Sequence, residues 1–184
     1  HSHLIWNELS RQTVADAHVF ELVRSKRRSS DGREAEYYVI DSPDWGNIVA
    51  VTTDDQDREC FVMVRQFRQG SNQVELEFPG GVVDPGEEPD VAVMRELKEE
   101  TGYQAESVVP LGVINPNPAL FGNAVHTYWA RNVEPVDRQE LDANEIIDVE
   151  LVPVEELLAG HHDHEFRHAM MLVALMFYRR ASGR

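Results

Sequence analysis

Glu96, Glu99 and Glu100 stand at i, i+3 and i+4. On a helix, at about 100° per residue, three such positions fall within one arc of about 100°. Like charges this close weaken an isolated helix. Hard oxygen donors at this density suit Mg²⁺ or Mn²⁺, which bind through a few carboxylates together with substrate phosphates. The plainer reading of an acidic helix face is a solvated surface. Arg95, four residues before Glu99, is placed as an internal counter-ion. Upstream, Asp84-Pro85-Gly86 is a turn. Gly80-Gly81 lets the backbone approach a partner closely and leaves its carbonyls available as ligands. A glycine-bearing loop that runs into a carboxylate-lined helix makes a candidate diphosphate–metal site.

The helix that carries these carboxylates spans 89–101. Pro89 suits a first helical position, Glu87, Glu88 and Asp90 complement the positive end of the dipole, and Gly102 is a natural stop. Val93, Met94, Leu97 and Thr101 occupy the neighbouring arc and can face a core. Before it, β-branched and aromatic runs predict strands at 19–25, 36–41, 47–53, 60–68 and 73–78, with an exposed hairpin loop at 26–33. After it, strands are predicted at 108–114, 124–130 and 148–152, a short helix at 153–158 and a last helix at 166–180. Two long turn-rich segments, 115–123 and 134–144, remain, and long ordered loops are often functional. Strands before, between and after helices predict an α+β fold, not an alternating parallel one.

The chain has 184 residues and a mass of 21.0 kDa, which predicts one domain. Its formal net charge of −16 disfavours binding to nucleic-acid backbones. A small anionic substrate is accommodated only if cations stand between it and the carboxylates. Cys60 is the single cysteine, so neither an internal disulfide nor a cysteine zinc site is available, in keeping with a reducing cytoplasm. It is expected to point inward and to be inert. The longest apolar run, 169–178, is about half of what a membrane span needs, and the first residues carry no signal-peptide pattern. His161, His162, His164 and His168 invite a metal reading, against which a solvated loop and helix cap weigh more.

Gly81, five residues, Glu87, seven residues, and then Arg95-Glu96-Leu97-Lys98-Glu99-Glu100-Thr101-Gly102-Tyr103 resemble the Nudix box. The departure is Tyr103, where a bulky aliphatic residue is usual and the side chain packs rather than reacts. Outside the box, Pro43-Asp44-Trp45 and the stretches 48–53, 64–68 and 75–81 look like the nucleoside-diphosphate-sugar branch, best known for ADP-ribose pyrophosphatases. Pro118, fifteen residues past Tyr103, stands where a proline tends to mark ADP-ribose-type enzymes, and 141–145 resembles that branch's catalytic loop.

The resemblance implies a Nudix fold, a mixed sheet between helices. Residues 46–184 would form its core, and the strands of 1–45 would be a possible dimerisation element of a homodimer. It implies Mg²⁺-dependent hydrolysis of a nucleoside-diphosphate sugar, most directly ADP-ribose to AMP and ribose 5-phosphate. GDP-mannose, dinucleoside polyphosphates, coenzyme A or a non-catalytic sensor are the alternatives. Glu96, Glu99, Glu100 and the Gly80 carbonyl would hold metal, and Glu145, Glu99 and Arg95 would serve catalysis, with Asp142 the alternative base. Arg65 and Arg68 would grip phosphate unless they are an ordinary surface pair. Glu77 and Pro118 would stand beside the substrate, although Glu77 could simply pair with Arg95. Trp6, Phe20 and Trp45 are candidates for stacking on a base, with packing the commoner role.

Overall fold

The computed structural model describes all 184 residues, which separate into two units. One comprises His1–Asp44 with Asn115–Ala124, the other Trp45–Ile114 with Val125–Arg184. In the first, β1 (Trp6–Asp16), β2 (Glu21–Ser29) and β3 (Glu34–Asp41) form an antiparallel meander. Segment Asn115–Ala124 joins it through a bridge from Phe121 to Ile40, and the Ile40 N–H donates to the Leu120 carbonyl at 2.7 Å.

The basic run 26–33 is not all loop. β2 continues through Ser29, because Lys26 and Arg28 pair across the sheet with Glu34 and Arg27 pairs with Glu8, while Ser25 and Ser29 are buried. Cross-strand ion pairs supply what the apolar pattern lacks. β1 has no counterpart among the expected strands. It is exposed along almost its whole length, so its sequence carries no inside–outside alternation to read.

The second unit holds β4 (Trp45–Thr53), β5 (Glu59–Arg68), β6 (Gln73–Glu77), β7 (Gly80–Val82), α1 (Pro89–Thr101), β8 (Tyr103–Gln104), β9 (Val109–Ile114), β10 (Val125–Arg131), β11 (Glu134–Pro135), β12 (Ile147–Pro153), α2 (Val154–Leu158) and α3 (Ala169–Ser182). Its main sheet runs β12-β5-β4-β10-β9, with β6 on β5 and β7 on β4; β8 and β11 pair separately. β10 lies parallel to β4 and the other pairings are antiparallel, so the sheet is mixed.

Side chains alternate across a strand, and here both faces are covered. Ile48, Ala50 and Val62 pack with Val93 and Leu97 of α1. Val49, Val51, Phe61 and Met63 pack with Met171, Ala174 and Tyr178 of α3. Phe61 meets Phe78 and Tyr178 edge-on at 5.3 and 5.0 Å, a favoured aromatic geometry. Cys60 is buried, and desolvation pushes its thiol up to about 11. The architecture is the expected α+β one, a mixed sheet between helices. α1 has the expected bounds. α3 begins three residues later than the periodicity predicts, because Phe166 leaves the helix to pack against Phe78 at 5.6 Å and His168 becomes the residue before the first turn. No helix is long and apolar enough to cross a membrane.

α1 stops at Gly102, which adopts a left-handed conformation with φ 72°. A side chain there would also collide with the carbonyl oxygen of Asp137. Gly102→Ala should therefore lower the thermal midpoint by about 4–8 °C, the equivalent of about 2 kcal/mol in a chain this size, in a calorimetric melt.

Candidate active site

α1 is anchored by its apolar arc. Val93 and Leu97 are fully buried, and Val93 packs so tightly on Gly46 of β4 that a side chain at Gly46 would come within 2.5 Å of it. This leaves Glu96, Glu99 and Glu100 on an adjacent arc. Arg95 sits among them. Its Nη1 lies 2.9 Å from both Glu96 Oε1 and Glu99 Oε2. Its other donors are held from the loop before the helix: Nε and Nη2 each donate to Glu87 at 3.0 Å, and Nη2 also to the Val82 carbonyl at 3.2 Å. The Glu87 hydrogen bonds, more than any other contact, hold the guanidinium above its ordinary pKa.

Glu100 turns inward and is 4 % exposed. Its carboxylate accepts the Gly80 N–H at 2.9 Å. Desolvation, reinforced by Glu96 and Glu145, pushes its pKa up to about 8 against the pull of that N–H and of Arg68. Burial likewise raises Glu96, opposed by Arg95 and aided by Glu99 and Glu145. At Gly81 a β-carbon would lie 2.5 Å from a Glu96 oxygen, so a side chain there would push the Glu96 carboxylate aside.

Strand alternation separates the two candidate phosphate-binding arginines. Arg65 shares its face of β5 with Phe61 and Met63, the side of α3, and its guanidinium is committed to Glu150 and, bidentately at 2.8 and 2.9 Å, to Glu165. It is not brought to the carboxylates. Arg68 lies on the other face, and its charge is felt by Glu100. Its Nε and Nη2 donate to Glu77 at 2.9 and 2.5 Å. Glu77 thus pairs with Arg68 and not with Arg95, because β6 lies alongside β5 in a register that sets Glu77 opposite Val64, on the strand that carries Arg68. Glu77 is completely buried, with His168 Nδ1 3.3 Å away, close enough for an ion pair but off the line of a hydrogen bond. The ionised Glu165 carboxylate accepts from His162 Nδ1 at 2.9 Å. His162 is thus built into a polar cluster and not left in a solvated loop, His168 stands at the N-cap of α3 as the sequence reading expects, and His164 is exposed.

Residues 136–140 wrap the C-terminal end of α1, and Glu145 follows in an exposed turn. Its N–H donates to the Asp142 carbonyl at 2.9 Å, and its carboxylate accepts the Asp142 N–H at 3.1 Å. The charge of Glu145 bears on Glu96, Glu100 and Arg68 alike, which sets it within electrostatic reach of the helix carboxylates. Pro118 belongs to the other unit, exposed in segment Asn115–Ala124. Trp6 packs edge-on against Tyr37 at 5.7 Å.

No three acidic, imidazole or thiol side chains converge closely enough to hold an ion as they stand, because Arg95 occupies Glu96 and Glu99 and Gly80 occupies Glu100. The donor set nevertheless fits a hard divalent cation. It is all oxygen, and it includes the buried Glu100, whose ionisation is penalised by desolvation and would be favoured by a cation. Sequence reasoning missed that His168 stands beside Glu77 and that Gln139 ties its segment to the Glu100 and Ile147 carbonyls, contacts that carry no local signal.

A profile of the NUDIX domain matches residues 45–173. The chain belongs to the Nudix family, and it is a Nudix hydrolase of the ADP-ribose pyrophosphatase branch. It is 26% identical over 170 residues to the ADP-ribose pyrophosphatase of Bacillus subtilis, covering 92% of this chain and 90% of that one. It is 26% identical over 171 residues to the ADP compounds hydrolase NudE of Escherichia coli, covering 93% and 90%. A crystal structure of an ADP compounds hydrolase superposes with a TM-score of 0.81 at 26% identity, over 100% of this chain and 99% of that one.

The Arg68–Glu77 pair makes stability depend on acid. Burial alone would raise the Glu77 pKa, but Arg68 and His168 outweigh it and hold the carboxyl at about 2, below its ordinary 4.5. With the folded value depressed, this stabilisation is present in full above about pH 4.5 and is lost as the pH falls toward about 2. Glu77→Gln should cost about 2–3 kcal/mol at pH 7 and flatten the decline in stability between those two pH values, measured by urea unfolding.

Proposed function

We propose that this protein hydrolyses the diphosphate bond of a nucleoside-diphosphate sugar in a Mg²⁺-dependent reaction, with ADP-ribose the leading substrate and AMP and ribose 5-phosphate the products. The observation that carries the reading is the set Glu96, Glu99 and Glu100, the first two joined by Arg95 and the third held by the Gly80 N–H. The names of its relatives, ADP-ribose pyrophosphatase and ADP compounds hydrolase, support the ADP-sugar class.

Glu96, Glu99, Glu100 and the Gly80 carbonyl are the residues that would hold Mg²⁺. A divalent ion there supplies charge neutralisation of the diphosphate and a lowered pKa for a water nucleophile. Arg95 keeps the carboxylates from splaying apart in its absence. Arg68, with Nε and Nη2 given to Glu77, has a third nitrogen to offer a phosphate oxygen. Glu145 is the proposed general base. Helix carboxylates committed to metal are poor bases, and a carboxylate on an exposed turn can accept the proton of the attacking water once substrate is bound. The N-terminal meander leaves Leu9, Val14, Phe20, Tyr37 and Tyr38 exposed, which supports a homodimer formed through this unit.

Four outcomes are expected. In a panel with Mg²⁺, ADP-ribose should be turned over with a higher kcat/KM than any nucleoside triphosphate. A triphosphate that exceeds every nucleotide sugar, GDP-mannose included, would overturn the substrate class. Glu100→Gln should keep the fold and lose about 10³-fold in kcat, and Glu145→Gln about 10²-fold with metal affinity unchanged, by steady-state assay and metal titration. Light scattering should return the mass of two chains.

A further inference from the structure

We propose that Gln139 is a positioning residue for the reaction, its side-chain amide tying the loop of Glu145 to the C-terminal end of the carboxylate helix. This rests on the reading of Glu145 as base. A helix leaves its last carbonyls without partners in its own backbone. Here the following chain supplies them. Val136 and Asp137 N–H donate to the Gly102 carbonyl at 2.9 and 3.2 Å, and Glu140 N–H donates to the Glu99 carbonyl at 2.8 Å. The Glu100 carbonyl is taken by Gln139 Nε2 at 2.6 Å. The same nitrogen donates to the Ile147 carbonyl, the first residue of β12, at 3.0 Å.

One amide thus joins three places: the backbone of Glu100, the entry to the loop and its exit. Both partners are carbonyls, so only the nitrogen of the amide serves, and the orientation of the group is settled by the chemistry. Between Gln139 and Ile147 the chain meets α1 through the Glu140 N–H at its entry, and beyond that point the turn is free of α1. Asp142 through Ile146 are all exposed, and the turn is closed by its own two Asp142–Glu145 hydrogen bonds. The turn gives Glu145 its local shape. Gln139 determines where that turn stands relative to Glu100. The stem of Gln139 is itself exposed, so its replacement leaves no cavity.

Gln139→Met keeps the length of the side chain and removes both donations. It should lower kcat by about 10-fold, with KM and metal affinity within about twofold and the thermal midpoint within a few degrees. Hydrogen exchange should accelerate at 141–146 and not in α1 or β12. In a Glu145→Gln background the same change should cost less than about twofold, because the two residues act as a unit. Unchanged exchange and turnover in Gln139→Met, or an equal loss in both backgrounds, would overturn the proposal. If Glu145→Gln matches the wild type while Gln139→Met still loosens the loop and slows turnover, the base assignment falls and the positioning role of Gln139 stands.

Discussion

Three carboxylates within two turns of one helix repel one another, and the charge of this chain, −16 overall, gives no general relief. The local relief is Arg95. Its planar fork is held from one side by Glu87 and the Val82 carbonyl, so that Nη1 faces Glu96 and Glu99 together. The loop that supplies Glu87 continues from β7, whose glycine backbone passes against Glu96 and donates to Glu100. Helix and loop therefore stabilise each other through one guanidinium and one N–H. Loss of either would leave acidic groups facing each other in a partly dry pocket.

The sheet does the sorting. With helices on both of its faces, every second residue of β5 is assigned to one side or the other. Arg65 falls to the α3 side and is neutralised twice, by Glu150 and Glu165. Arg68 falls to the α1 side, paired with a fully buried Glu77 and felt by Glu100. Two arginines three residues apart thus have different partners, one set on the α3 side and one beside the α1 carboxylates. A buried charge without its partner is expensive, which ties Glu77 and Arg68 to each other as firmly as to the site.

The end of α1 links the metal-binding set to the loop. Because Gly102 permits the chain to pass close by, residues 136–140 take the last carbonyls of the helix as their own hydrogen-bond partners. The helix terminus is capped by the segment that carries the proposed base, so the carboxylate helix and that segment share one anchor.

Much of this was legible in the residues. The helix bounds, from Pro89 to Gly102, follow from chain stereochemistry and the dipole, and the three carboxylates follow from a helical period. The two-sided strands follow from continuous apolar runs at 48–51 and 60–64, since only a doubly covered sheet buries both alternations. These features depend on neighbours within a turn or two, which is what a sequence records directly. β1 was not legible, being exposed and without alternation. Neither were the partners of Arg65 and Glu77, nor Gln139, whose two hydrogen-bond acceptors lie 39 and 8 residues away along the chain. Which charge meets which depends on strand register and on how a loop closes over a helix end. Only the folded chain decides these, because each is a choice among many acceptors of similar chemistry that packing alone brings within reach.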